Sequence, residues 1–383
     1  MKIAINAISA TAGGAQSYLV NLIRALPALG PHEYLLYLPG RRPPELAELP
    51  PGFEAQTCSW AESGYAARLL WEQWILPRWA RRWGADVLLC AGNFCPLRSS
   101  VPVLLLSRNA LYFTPRYLQD LLGRRHYGWA ARHLLMTRLA VLSARAARIT
   151  VTPTRAMGEM MRAALGPDRP APRAIPFGFQ PWPGQNGATP AAPAPPPPFR
   201  FLLLSHYNYF RDFETVFQAL ATLRAQQADL HITLSARLAP GLRPGGYDTT
   251  AAYHLLHQLG LAGAVTMLGA VAYDELPRVY RAAHAVICPS YAESFGQTLL
   301  EAMALGLPVV ASDIPAHREV AGEAALFFAA GDAADLARCC RRLMDDPALR
   351  ARLRQAGLER APSFSWRRHF QQLLAAAAEV AGA

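Results

Sequence analysis

With 383 residues, 52% of them hydrophobic, the chain is too long for one ordinary core and suits two domains. Its net charge of +11 sits wholly in the first half: residues 1–180 carry 21 basic and 10 acidic side chains, residues 181–383 carry 17 of each. No run of 18 clean apolar residues occurs, which excludes a membrane-spanning helix, and six cysteines with no Cys-x-x-Cys pair and no metal-ligand spacing read as reduced cytosolic thiols.

The one-sided charge predicts a face that meets anions, either membrane phospholipid or a charged acceptor. Nucleic acid is the competing partner, but the chain carries no nucleic-acid motif.

Residues 3–8 alternate and read as a first strand rather than a signal peptide. A Gly13-Gly14 turn follows, then a predicted helix over 15–29. A glycine turn between strand and helix lets backbone N–H groups come close to a ligand. Residues 34–38 read as a strand and 41–52 as a Pro-rich exposed loop. Residues 65–83 are predicted helical and mix Trp71, Trp74, Trp79 and Trp83 with arginines. That mixture suits a membrane interface, or else a core-packed helix with a basic outer side. Residues 86–90 and 102–106 read as buried strands, the second running into Ser107-Arg108-Asn109. A basic helix is expected over 118–147, a strand over 149–152 and a helix from 154 or 155. Residues 181–198 are mostly Pro, Ala and Gly and read as an interdomain linker.

The second half opens with a strand at 199–204, the polar stretch Ser205 to Asp212, and a helix to about 227. Strands are expected at 230–235 and 265–269, and helices at 249–259, 274–283, 332–345, 347–360 and from about 364. The centre of this half is 285–313, read as strand, loop, helix, strand. In such units ligands sit where a loop leaves the carboxyl end of a strand and a helix begins. Free N–H groups and a partial positive charge at the helix start suit phosphate. Glu293 in the loop and Glu301 in the helix frame that start, and a carboxylate accepts well from vicinal sugar hydroxyls. On spacing alone, the plainer reading is that Glu293 caps the helix and Glu301 is a solvated helix residue.

The surrounding residues carry a sharper signal. Pro289-Ser290, Glu293-Ser294-Phe295-Gly296, Glu301-Ala302-Met303-Ala304 and Gly306-Leu307-Pro308-Val309-Val310 occur in order without a gap. Leu268-Gly269, Glu275-Leu276, Glu319-Val320 and Phe364-Ser365-Trp366 extend the pattern on both sides. Together they resemble the donor-binding core of glycosyltransferase family 4, whose members are retaining enzymes of the GT-B fold.

The resemblance implies an α/β chain of two Rossmann-like, doubly wound domains facing across a cleft. The expected divisions are an acceptor-binding domain over 1–180, the linker 181–198, a nucleotide-sugar domain over 199–362, and a final helix over 363–383 that crosses back to the first domain. The implied donor-binding set is Gly13, Gly14, His206, Arg211, Glu293, Ser294, Phe295, Gly296, Gln297, Thr298 and Glu301. Glu301 would take ribose hydroxyls, Glu293 the sugar hydroxyls, and the amides near Phe295–Thr298 the sugar or phosphate. Arg211 and Glu293 are the catalytic candidates. Arg211, and His206 where the family usually has arginine, would clamp the departing diphosphate. Related enzymes often carry a histidine near 108; here Arg108 and Asn109 stand instead, as possible acceptor or phosphate contacts.

The chain has no Asp-x-Asp, so no metal and no cofactor is expected. The implied activity moves a hexosyl unit from a nucleotide-diphosphate sugar to a lipid-linked or cell-envelope glycan, on the inner face of the membrane. Two other readings share these residues: another sugar-nucleotide enzyme such as an epimerase or phosphorylase, and a non-catalytic transferase-like binding protein.

Overall fold

A computed structural model of the chain describes residues 1–10, 13–40, 48–59, 64–179 and 197–382. It divides into two compact units, Met1–Gly178 with Ser365–Ala383, and Phe179–Phe364. The predicted linker, apart from 197 and 198, lies outside the described residues, as does much of the 41–52 loop.

The first unit is built on a parallel sheet of seven strands: β1 Lys2–Asn6, β2 Glu33–Pro39, β3 Phe53–Cys58, β4 Val87–Cys90, β5 Val103–Leu106, β6 Ile149–Thr152 and β7 Arg173–Ala174. Their spatial order is β3-β2-β1-β4-β5-β6-β7. The second unit holds six parallel strands: β8 Phe199–Leu203, β9 Leu230–Leu234, β10 Val265–Met267, β11 Ala285–Cys288, β12 Val309–Ser312 and β13 Ala325–Phe328, in the order β10-β9-β8-β11-β12-β13. Each order reverses beside its first strand, so each sheet has a switch point, β1/β4 in one and β8/β11 in the other. Crevices open there at the carboxyl ends of the strands. The inner strands β4, β5, β11 and β12 are buried along their whole length, as apolar runs covered on both faces must be.

The sequence expectations differ from the structure in places with identifiable causes. Gly13 and Gly14 are the first residues of the helix Gly13–Ala25, not a turn before it. The 65–83 helix is three pieces: Tyr65–Leu70, a wide π-turn at Trp71–Ile75, and Leu76–Trp83. The π-turn rotates Trp71 into the core, where it is fully buried against Tyr37 and Trp79, while Trp74 stays exposed. The four tryptophans therefore do not share one face. The 118–147 helix is two, Pro115–Gly123 and Tyr127–Ala146, separated where Arg125 takes a left-handed φ of 58°.

The final helix, Trp366–Gly382, packs on the first unit: Phe370, Leu373, Ala376 and Val380 join the core around β1 and the Gly13–Ala25 helix. Gly178 lies so near it that a Cβ there would stand 2.0 Å from the Trp366 amide nitrogen, so no larger residue fits.

Candidate functional site

In the second unit the chain leaves β8, forms a short turn at Tyr209–Arg211 and enters the helix Phe213–Ala225. This brings Arg211 to the switch point, beside the loop that leaves β11. There its guanidinium Nη1 donates to Ser290 Oγ at 3.0 Å and forms a close ion pair with Glu293. Ser290 Oγ also donates to Glu293 Oε1 at 3.2 Å. Burial pulls the Arg211 guanidinium down to about 10, which leaves it charged at neutral pH. Its Nε is buried without a hydrogen-bond partner, so the guanidinium has donor capacity that the protein does not use.

The loop ends at Gly296, which precedes the helix Gln297–Ala304 with a φ of 96°. Only glycine takes this conformation without strain. A Cβ would also press on the His317 ring at 3.3 Å. Gln297 and Thr298 are half-buried at the helix start, and Thr298 Oγ1 donates to the carbonyl of Leu204 at 3.4 Å. Ser294 is half-buried, and Phe295 is fully buried, edge-on to Phe364 with centroids 5.6 Å apart. Phe295 therefore anchors the loop, and what it can offer a ligand is backbone.

Glu301 is only 8% exposed, which rules out the solvated-residue alternative. Tyr280 donates its hydroxyl to Glu301 Oε2 at 2.8 Å. Burial raises the carboxyl to about 7, opposed in part by hydrogen bonds from Tyr280 and Gln297. It is thus a buried acid poised to change charge near neutrality. His206 is exposed.

His317, which sequence reasoning passed over, is buried beside this group. Its Nδ1 lies 3.1 Å from the Ser312 carbonyl and 3.0 Å from Ser312 Oγ, and Ser312 Oγ in turn bonds the Ser290 carbonyl. With Nδ1–H donating to the carbonyl, Nε2 is left as an acceptor. Burial, with the Arg211 charge nearby, lowers His317 to about 4, so the ring is neutral at ordinary pH. Nothing local marks this histidine, because its burial comes from the packing of separate strand ends.

In the first unit, Arg108 and Asn109 stand at the carboxyl end of β5. Asn93 Oδ1 fixes their backbone, accepting from Arg108 N at 2.7 Å and Asn109 N at 2.9 Å. Asn109 Oδ1 caps the next turn by accepting from Leu111 N at 3.1 Å, so that oxygen is engaged locally. The Arg108 guanidinium lies 4.9 Å from the ring centroid of Tyr18 and 5.9 Å from that of Phe177. Burial lowers its pKa, and the nearby Tyr18 oxygen opposes that. Tyr18 in turn meets His369 Nε2 at 2.9 Å, and His369 Nδ1 meets the Pro176 carbonyl at 3.0 Å. Arg108, Tyr18 and Ser9 border a small cavity next to the Gly13–Ala25 helix. Glu72 is a buried acid of this unit, bonded by Asn6 Nδ2 at 3.1 Å and paired with Arg68 at 3.4 Å.

The sequence-predicted residues thus fall into two groups. Arg211, Glu293, Ser294, Phe295, Gly296, Gln297, Thr298 and Glu301 are gathered at the β8/β11 switch point of one unit, while the other carries Gly13 and Gly14 at a helix start and Arg108 and Asn109 after the carboxyl end of β5. Among the described residues, no three His, Cys, Asp or Glu side chains come together as a metal-binding group.

Two family models match the chain: "Glycosyltransferase Family 4" over residues 12–181 and "Glycosyl transferases group 1" over 191–360. Among curated proteins, a D-inositol 3-phosphate glycosyltransferase of Stackebrandtia nassauensis is 36% identical over 166 residues, 43% of this chain and 38% of that protein. The O-antigen chain mannosyltransferase B of Escherichia coli is 32% identical over 32% of each. The chain therefore matches well under half the length of these relatives. Among solved structures, sucrose-phosphate synthase from Thermosynechococcus elongatus superposes with a TM-score of 0.73 at 21% identity, covering 98% of this chain and 100% of that one. Anabaena HepE, solved with UDP and glucose, superposes with a TM-score of 0.69 at 19% identity, covering 98% and 99%.

Proposed function

Because the chain belongs to the group 1 glycosyltransferases of family 4 and has the α/β GT-B fold, we propose that it moves a hexosyl unit from a nucleotide-diphosphate sugar to a lipid-linked or cell-envelope glycan. The observation that carries this reading is the Arg211–Glu293 pair at the β8/β11 switch point, beside the start of the Gln297–Ala304 helix. A diphosphate arriving there meets a charged guanidinium whose Nε has no protein partner, the positive end of the Gln297–Ala304 helix, and two carboxyl groups for hydroxyls.

Glu301 accepts from the ribose hydroxyls, and Glu293 from the sugar. Arg211 then divides its donors between Glu293 and the diphosphate. As the bond from the anomeric carbon to the diphosphate oxygen breaks, negative charge grows on the leaving group, and Arg211 with the helix amides stabilises it. The new bond to the acceptor oxygen forms on the same face, and the acceptor proton passes to the leaving phosphate. Retention without a covalent intermediate is supported by the side chains present. The Glu293 carboxylate is held by Arg211 and Ser290, and the nearby Cys288 thiol is pushed up to about 12 by burial.

The chemistry so assigned needs no metal. Within the second unit His206 completes the proposed donor contacts; in the first unit the backbone at Gly13 and Gly14, at the start of their helix, is open to a phosphate, and Arg108 with Asn109 meets the acceptor or a phosphate. The positive charge of the first half supports peripheral attachment to an anionic membrane on its cytoplasmic face, where a lipid-linked acceptor is found. Among the described residues no helix is long and apolar enough to cross a membrane.

The test is transfer from a panel of nucleotide sugars, with the anomeric configuration of the product read by NMR and a chelator added in parallel. A retained product, formed equally with chelator, is expected. An inverted product, or loss of turnover with chelator, overturns the mechanism; release of a rearranged nucleotide sugar without acceptor would make the chain an epimerase.

A further inference from the structure

A wide groove of the first unit lies at the opposite end of its sheet from Arg108 and Asn109. It has a volume of about 1220 Å³ and runs along the amino ends of β5 and β6. One wall is the helix Leu76–Trp83 with Arg78 and Arg81; the other is Arg145 to Arg148, where the helix Tyr127–Ala146 turns into β6; Arg98 and Arg169 close the sides. Gln73 holds the floor in place, donating to the Cys95 carbonyl and accepting from Leu97 N, each at 2.9 Å.

Six exposed arginines thus converge on one groove, and among the described residues none of them forms an ion pair and no Asp or Glu lines it. Such a concentration of like charge without carboxylates is unfavourable unless an anion is present. The rim adds apolar surface. Trp74 is 62% exposed and Leu97 39%, both lining the groove, and Leu142 is exposed one turn before Arg145 on the same helix. A soluble anion has no use for exposed tryptophan and leucine beside arginine, whereas a bilayer surface takes both, phosphodiesters in the groove and apolar side chains at the headgroup boundary.

We propose that this arginine groove is a binding site for the phosphodiester headgroups of an anionic membrane. The inference rests on the peripheral attachment proposed above and localises it. It also leaves the strand ends that carry Arg108 free for the acceptor, because headgroup and acceptor would occupy opposite ends of the same sheet.

The experiment is co-sedimentation of the full chain with vesicles of phosphatidylglycerol and phosphatidylcholine, comparing wild type, Arg98→Ala/Arg148→Ala, and Arg24→Ala/Arg162→Ala. The last pair removes the same charge from exposed positions of the same unit outside the groove. The groove pair should lower the partition coefficient by about 25-fold, from roughly fivefold per arginine close to the surface. The control pair should lower it by less than about threefold. All three proteins should keep the thermal shift given by nucleotide sugar, which shows that they fold.

If wild type does not pellet, the attachment reading itself fails. If wild type pellets and the groove pair pellets equally, or if both pairs fall equally, attachment stands but the groove is not its site. Stabilisation of wild type by inorganic phosphate, lost in the groove pair and without vesicle binding, would make the occupant a soluble phosphate and overturn the lipid assignment.

Discussion

Both units hold a partly buried arginine at the carboxyl ends of their strands, and they hold it in opposite ways. Arg211 faces a carboxylate and a hydroxyl, Glu293 and Ser290. Arg108 faces the rings of Tyr18 and Phe177. The charge totals follow the same division, with 23 basic and 11 acidic residues in the unit Met1–Gly178 with Ser365–Ala383, against 15 and 16 in Phe179–Phe364. A paired cation can be handed to an incoming anion and taken back, because Glu293 is ready to receive it again. A cation held by ring faces keeps its field directed outward, since cation–π attraction offsets only part of its lost hydration. The first arrangement suits a charge that rises and falls during a reaction; the second suits standing recognition of an anion.

The largest expected effect is at the paired arginine. Arg211→Ala should cut turnover by about 10²- to 10³-fold, the loss seen when one preorganised donor to a developing charge is removed. Donor affinity should fall less, by about tenfold, measured by calorimetry. Equal losses in turnover and affinity would mean that Arg211 binds ground state and transition state alike.

Glu301 comes next, and it titrates. Its native value of about 7 stands above the ordinary glutamate value of 4.5, so its contribution to stability is fully present below pH 4.5 and is lost as pH rises through 7. The loss is about 3 kcal/mol. Glu301→Gln should remove this slope from urea melts taken between pH 4.5 and 7. Donor affinity should run the other way, improving as the carboxylate forms, and Glu301→Ala should weaken it by about tenfold to a hundredfold. A donor affinity indifferent to pH and to both substitutions would remove Glu301 from the ribose.

Arg108→Ala tests the ring-held cation. Stability should change by less than about 1 kcal/mol, since relief of the buried charge offsets the missing cation–π attraction. Transfer should fall by about tenfold with donor affinity unchanged, read from initial rates against acceptor concentration. A drop in donor affinity would move Arg108 to the donor side.

The smallest effects contrast two glycines at helix starts. Gly296→Ala should destabilise by about 1–2 kcal/mol, because its φ of 96° and the His317 ring both resist a Cβ. Gly14→Ala, helical and with nothing within 4 Å of the new Cβ, should stabilise by about 0.4–1 kcal/mol. If transfer nevertheless falls in Gly14→Ala, a ligand approaches that backbone closely.

Glu293, Gly296 and Glu301 were legible from sequence because one loop and one helix carry all three. The edge strands Phe53–Cys58 and Arg173–Ala174 were not foreseen. The first is half-exposed, with weak alternation, and the second is two residues long, so neither has an apolar run to announce it. How the tryptophans of 65–83 divide between core and surface was not legible for another reason: spacing assumes an unbroken 3.6-residue period, and the π-turn at Trp71–Ile75 breaks it.

What the sequence determined by itself is therefore what its local periods encode: two alternating sets of strands and helices, a charge confined to the first half, and the carboxylate pair framing a glycine-started helix. The tertiary structure alone decided which cation meets Glu293, that Tyr280 closes on Glu301 and offsets part of the effect of its burial, that His317 is neutral beneath Gly296, and that six arginines from separate segments line one groove. Each of these is a contact between residues far apart in the chain or a degree of burial. Both are set by how strands stack into a sheet, and no window of sequence contains that order.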